Sequence, residues 1–188
     1  MGRLRRNKDA LSQPVTTMIL LVIPVMLTGG VVMYAYQIIG SQVEMDLLTI
    51  SNQYIWVYED GASFAAIQID NIGGKDVLID KLQVRGVDVP WSTVYYYRTT
   101  LIATDVLNCP NASGNDWSSF EYTPGNTTAF TQATDDLSLP SGYTFVIYIE
   151  QPDNIRLEDI GASVSISVIT KNARYDILCT VKSATTAS

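Results

Sequence analysis

Hydrophobic and polar positions follow two regimes along this chain. From Ala10 to Val43 no residue is charged, and the run from Val15 to Ile39 is almost continuously apolar. A bilayer core about 30 Å thick needs roughly 20 apolar helical residues. The uncharged run, at about 1.5 Å per helical residue, reaches on the order of 50 Å. Apolar spacing continues past Glu44 and Asp46 through Leu47, Leu48, Ile50, Tyr54, Ile55 and Val57. It predicts one helix from about residue 14 to about residue 57, apolar all round at first and amphipathic later.

From about Gly61 the period changes to two. Ala65, Ile67 and Ile69 alternate with Gln68 and Asp70; Leu82 and Val84 alternate with Lys81 and Gln83. Phe145, Ile147 and Ile149 alternate with Thr144, Tyr148 and Glu150. Val164, Ile166 and Val168 alternate with serines, and Ile177, Cys179 and Val181 with polar residues. Such alternation marks strands with one face buried and one wet. Turn residues fall between them, at Asn71 to Gly74, Gly86, Pro124-Gly125, Pro140 to Gly142 and Lys171-Asn172. Six to eight strands at this spacing predict an antiparallel β-sandwich of immunoglobulin-like type. The fold class is thus α+β. The expected divisions are a leader at residues 1–10, a helix at 11–60 and an outer β domain at 61–188. The segment from Asn108 to Asp136 is rich in Asn, Ser, Thr, Gly and Asp and reads as long loops.

Charge sharpens the picture of the ends. The 188-residue chain carries 12 basic and 19 acidic residues, a net charge of −7. Arg3, Arg5, Arg6 and Lys8 precede the apolar run, leaving 8 basic against 18 acidic residues beyond Asp9. A basic leader before an apolar span is held on the cytoplasmic side, which places the acidic part outside. An acidic exterior argues against nucleic-acid binding, which needs a basic stripe. An ordinary secretory signal has a shorter apolar core, followed by its small-residue cleavage site. Here the run is too long, and the small polar residues precede it.

An exported domain permits a disulfide between Cys109 and Cys179; the alternative is two unrelated buried thiols. Asn111-Ala112-Ser113 and Asn126-Thr127-Thr128 are glycosylation sequons in the loop-like segment. Trp91 with Tyr95-Tyr96-Tyr97 is either an aromatic binding platform or an alternating strand. Pro24 and Gly29-Gly30 interrupt the helix pattern. They mark either a tolerated kink in an anchor or a place that stretches or admits a close neighbour. The sequence has no histidine, which removes the commonest general base and metal ligand. There is no nucleophile elbow or phosphate-binding loop. Asp135-Asp136 and Glu158-Asp159 lack calcium-loop spacing. No catalytic residue, metal or cofactor is expected.

The order of motifs carries a family resemblance. Lys8-Asp9-Ala10-Leu11-Ser12, followed by Pro14-Val15 and Ile19-Leu20-Leu21-Val22, resembles the class III signal peptide of archaeal type IV pilins. Ile69-Asp70-Asn71-Ile72-Gly73-Gly74-Lys75-Asp76-Val77 with Ile79 looks like the strand–turn–strand opening the outer domain of archaeal pilins and archaellins. Leu137 to Gly142 with Tyr143 to Glu150 resembles their late strand, and Asp159-Ile160-Gly161 with Val164 to Thr170 their closing hairpin. The mature-chain Glu usual in bacterial type IV pilins is absent, Val15 standing at its place, which suits the archaeal branch. Ser12-Gln13-Pro14-Val15 suits a pilin better than an archaellin.

The resemblance implies cleavage between Ala10 and Leu11 by a prepilin peptidase. It implies insertion in the cytoplasmic membrane before assembly and transfer by an assembly platform into a helical homopolymer, an extracellular adhesive filament. Val15, Ile19, Leu20, Val22, Ile23, Pro24, Leu27, Val31 and Ile38 would then lie in the filament core. Three readings compete with this one. They are a single-span anchor displaying a β-sandwich binding domain without polymerising, an archaellin of a motility filament, and a membrane-anchored enzyme.

Overall fold

A computed structural model describes the backbone of residues 9–43, 46–101 and 105–185, with side chains described from 14 to 39 and from 46 onward. It divides into two compact units, residues 1–43 and 44–188. The first is the helix α1, Asp9–Val43. The second is the β domain. The architecture is therefore α+β, a long apolar helix followed by a mostly antiparallel curled sheet.

The helix does not run to residue 57. It ends at Val43, and Leu48–Tyr58 is the first strand, β1. The apolar spacing that suggested helix belongs to a bulged strand. β1 pairs with β2 (Ser63–Asn71), and its register shifts between Ser51 and Tyr54. Leu48 and Ile50 point to the core before the bulge, and Ile55 and Val57 after it. The inserted residue breaks the period of two and mimics a helical interval. Asn52, with φ of 49°, takes the left-handed conformation inside this bulge, which Asn tolerates better than most residues.

The remaining strands are β3 (Val77–Val84), β4 (Val87–Asp88), β5 (Val94–Thr99), β6 (Phe120–Thr123), β7 (Asn126–Thr128), β8 (Thr131–Gln132), β9 (Leu137–Leu139), β10 (Thr144–Glu150), β11 (Ser163–Thr170) and β12 (Arg174–Ala184). One sheet runs β4-β3-β11-β12-β1-β2-β10-β5-β8, with β9 also on β3, while β6 and β7 form a separate hairpin. The halves expected as two sheets are joined by one parallel pairing, Ile55 to Tyr58 against Val181 to Ala184. The sheet curls so that Ile55, Ile67, Phe145 and Ile147 from one half meet Ile79, Leu82, Ile166 and Val181 from the other. Ile67, Leu82, Phe145, Ile147, Ile166 and Val181 are positions the alternation marked, whereas Ile55 lies in the stretch whose spacing predicts helix.

The outer face of the β1-β2-β10-β5 half is not wet. Every residue of β2 is buried. The segment read as long loops folds back over this face and builds a second core. Leu107, Trp117, Phe120, Tyr122 and Phe130 pack on Trp56, Phe64, Val146 and Tyr148. Tyr95 and Tyr97 join this cap, while Tyr96 packs edge-on against Phe145 inside. The tyrosine run is thus an alternating strand with both faces covered. Trp91 packs partly buried against the inner core.

Candidate functional site

The apolar helix is the first candidate. Pro14–Ile39 is long and apolar enough to cross a membrane. Val15, Ile19, Leu20, Val22, Ile23, Leu27, Val31 and Ile38 are all exposed, as is every residue from Pro14 to Ile39. At about 1.5 Å per residue the whole of α1 is on the order of 50 Å long, against about 30 Å of hydrocarbon in a bilayer. Apolar surface on every side of a helix needs lipid or protein around all of it.

Pro24 sits within the helix and cannot supply an N–H to the carbonyl four residues back. Two threonines make local bonds beside the prolines. Thr28 donates to the Pro24 carbonyl at 2.7 Å, and Thr17 to that of Pro14 at 3.0 Å. A Cβ built on Gly29 or Gly30 meets no atom within 4 Å, so nothing packed inside the described chain requires their small size. The basic leader, Arg3 to Lys8, lies outside the described residues. At Ala10 and Leu11 the helical backbone alone is described.

The second candidate is the point where the chain enters the β domain, which the sequence did not reveal. The Asp46 side chain is only 3% exposed, and its Oδ1 lies 3.1 Å from Lys75 Nζ. The Thr170 hydroxyl donates to Oδ2 at 3.0 Å, and the Asn172 amide reaches both oxygens at 3.1 and 3.3 Å. The Tyr175 hydroxyl donates to the Asp46 carbonyl at 2.8 Å. Local turn chemistry places these partners. Asn71 accepts from Gly73 N–H and donates to the Lys75 carbonyl, shaping the β2–β3 turn that presents Lys75. The β11–β12 turn presents Thr170 and Asn172.

Burial works against ionised Asp46. The Lys75 ammonium, the Thr170 hydroxyl and the Asn172 amide outweigh it and hold the carboxyl below its ordinary value. A depressed folded-state pKa gives stability that is complete above the unfolded value, about 3.9, and lost as pH falls through the folded value. Asp46→Asn is expected to lower the stability of the β domain by about 1.5–3 kcal/mol at neutral pH. Urea denaturation across pH checks it: the gap between the two proteins should narrow below about pH 4. A gap that stays constant into acid would remove the charge from the account.

The remaining sequence-derived positions are dispersed. Cys109 and Cys179 are not bonded to each other. Cys179 faces the inner core from β12, and Cys109 packs in the cap on the other side of the sheet. Of the two readings of the cysteines, the structure has the separate thiols, because the sheet lies between them. Burial raises both thiols above the ordinary cysteine value, so neither is poised as a nucleophile. Asn111 and Asn126 are both exposed. Asn126 begins β7 after a turn where Gly125 takes a φ of 79°. Its side-chain amide donates to the Thr123 hydroxyl at 2.9 Å.

Among the described residues no three His, Cys, Asp or Glu side chains are grouped to hold a metal ion. An open cleft of about 470 Å³ lies between the turn at Asp60 to Ser63 and the loop from Gln151 to Arg156. Its acids, Asp60 and Asp153, are both exposed. Glu158 and Asp159 are separate from it; Asp159 pairs with Arg85 at 2.8 Å.

Comparison with protein-family models returns no match, and neither does comparison with curated proteins. Among solved structures, the chain is similar to the copper-bound PCuAC domain from PmoF2, at 8% identity and a TM-score of 0.34. The similarity covers 73% of this chain and 93% of that one. A likeness at that score bears on neither ligand nor function.

Proposed function

We propose that this chain is the structural subunit of an archaeal type IV-like adhesive pilus. The observation that carries the reading is α1, apolar on all sides, exposed along Pro14–Ile39 and longer than a bilayer is thick. The resemblance of the leader and of the β-domain motifs supports the choice of family. In this reading a peptidase cuts between Ala10 and Leu11, and α1 leaves the membrane to bundle with copies of itself. Burial at about 25 cal/mol per Å² supplies the cohesion. Identical subunits joined by heterologous, non-closing contacts make an open helical filament. The β domain forms the outer sheath, with Asn111 and Asn126 available to carry glycan.

A second reading, a single-span display protein, is favoured by one fact: Pro14–Ile39 alone suffices to cross a membrane. The N-terminal residue of protein from its native cell surface decides between them. Leu11 is expected. Met1 or Gly2 would mean a retained leader and would favour the display protein. In parallel, Ala10→Phe should accumulate at precursor size, because the peptidase accepts a small residue there. Normal processing of that variant would count against the assigned bond.

A further inference from the structure

One end of the β domain carries a row of exposed apolar side chains that its core does not use. Leu47 precedes β1, Ile72 follows β2, Tyr143 precedes β10, and Leu101 lies just beyond β5. They are 50%, 58%, 37% and 74% exposed. The four strands are consecutive neighbours in the sheet, so the four residues line one rim in order. Ile72 N–H donates to the Leu47 carbonyl at 3.0 Å, and Asn71 N–H to that of Tyr143 at 3.0 Å. The Arg98 guanidinium lies 5.7 Å from the centre of the Tyr143 ring.

We propose that this rim is a lipid-contacting surface. Leu47, Ile72, Tyr143 and Leu101 enter the headgroup region of a bilayer, with Arg98 and Lys171 set against lipid phosphates. The proposal rests on α1 crossing that membrane, which both functional readings share before any assembly. Three observations choose lipid as the occupant. First, the tether is short. Six residues separate Ile39, the last of the span, from Asp46, which is clamped into this same end of the domain. Seven positions along the chain cap the distance between them at about 25 Å.

Second, the chemistry is that of a membrane interface, where tyrosine and aliphatic groups sit at headgroup level and long cations snorkel to phosphate. Arg98 and Lys171 are exposed there; Lys75 is taken by Asp46, and Asp76 is the exposed acid of the same turn. Third, the opposite end is unsuited to anionic lipid. Among the described residues it presents Glu59, Asp60, Asp153 and Glu158 against one exposed unpaired cation, Arg156, since Arg85 is taken by Asp159; its exposed Leu157 and Ile160 flank Glu158 and Asp159.

The test uses the full chain in phosphatidylcholine vesicles containing lipid brominated near the top of its acyl chains. Single tryptophans are introduced by Ile72→Trp at the rim, Asp60→Trp at the far end and Leu21→Trp in α1. Each is read as a difference from the wild type with its three native tryptophans. The brominated lipid should quench the Ile72→Trp emission at least about twofold more than that of Asp60→Trp, and more still when phosphatidylglycerol is added. Leu101→Trp repeats the measurement at the other end of the row should Ile72→Trp fold poorly. Quenching at Leu21 with equal, weak quenching at Ile72 and Asp60 overturns the rim contact and leaves the span standing. No quenching at Leu21 overturns both. Rim emission that follows protein-to-lipid ratio and ignores bromination means that a second copy covers the rim, and also overturns the proposal.

Discussion

Val22→Asp is expected to abolish filaments while leaving the β domain folded. Val22 stands in the uncharged stretch of α1 and is exposed, so none of the described residues is placed to receive a carboxylate there. A charge near the centre of a membrane helix costs about 2.5–3.5 kcal/mol on insertion scales. In a bundle of copies the same charge recurs in every subunit, and each buried ion carries a penalty of several kcal/mol unless paired. The β domain should be indifferent, because its two apolar clusters are complete within its own strands and cap. Its denaturation midpoint should move by no more than a surface substitution allows, about 0.5 kcal/mol. Val22→Leu is the control and should assemble. Electron microscopy of cell-surface material reads the outcome, with membrane fractionation to show whether the variant still inserts. Abundant filaments from Val22→Asp would remove the helix-core account.

What could be read from the sequence was whatever depends on neighbours close in the chain. The inward face of β2, β10, β11 and β12 was legible because a strand with one face in a core must repeat every two residues. α1 was legible because so long an uncharged run calls for a helix with lipid or protein on every side. β1 was not. Its bulge between Ser51 and Tyr54 moves the inward residues from Leu48 and Ile50 to Ile55 and Val57, an odd interval that fits a helix as well as a strand. Chain length also favoured the wrong choice, since nothing in Glu44 to Leu47 punctuates a helix end.

The parallel pairing of β1 with β12 and the Asp46 clamp were beyond reach for a different reason. Asp46 meets Thr170 across 124 positions. One aspartate with a lysine, a threonine and an asparagine forms no pattern until the fold brings two turns to the start of β1. The choice between a disulfide and two separate thiols was out of reach on the same ground, because which face of the sheet a cysteine occupies is a property of the whole topology. The cap is the instructive case. Its backbone is mostly irregular, so it has no period to detect, and its polar composition reads as loop. The available signal was Trp117, Phe120, Tyr122 and Phe130 standing close together inside a polar stretch. Aromatic side chains at that density in a polar segment need a surface to cover.

That surface makes Trp117 the most sensitive position of the cap. Its ring stacks on Tyr95 with centroids 4.5 Å apart and lies 4.9 Å from Phe120 and 5.5 Å from Tyr148. Its indole N–H donates to Glu150 Oε1 at 2.9 Å. Trp117→Ala removes this packing and leaves a void between cap and sheet, with an expected loss of about 3–5 kcal/mol. Against a total of about 5–15 kcal/mol for an ordinary domain, that is a large share. The transition should stay single. The cap packs on Val146 and Tyr148, and β10 sends Phe145 and Ile147 into the inner core, so the two cores share a central strand. Trp117→Phe keeps a ring but gives up the bond to Glu150, and should cost about 1–2 kcal/mol of the same stability. Urea denaturation followed by circular dichroism checks both variants. A loss below about 1 kcal/mol for Trp117→Ala, or a first transition confined to residues 105–130, would mean that the cap is an appendage. The sheet would then hold its shape without it.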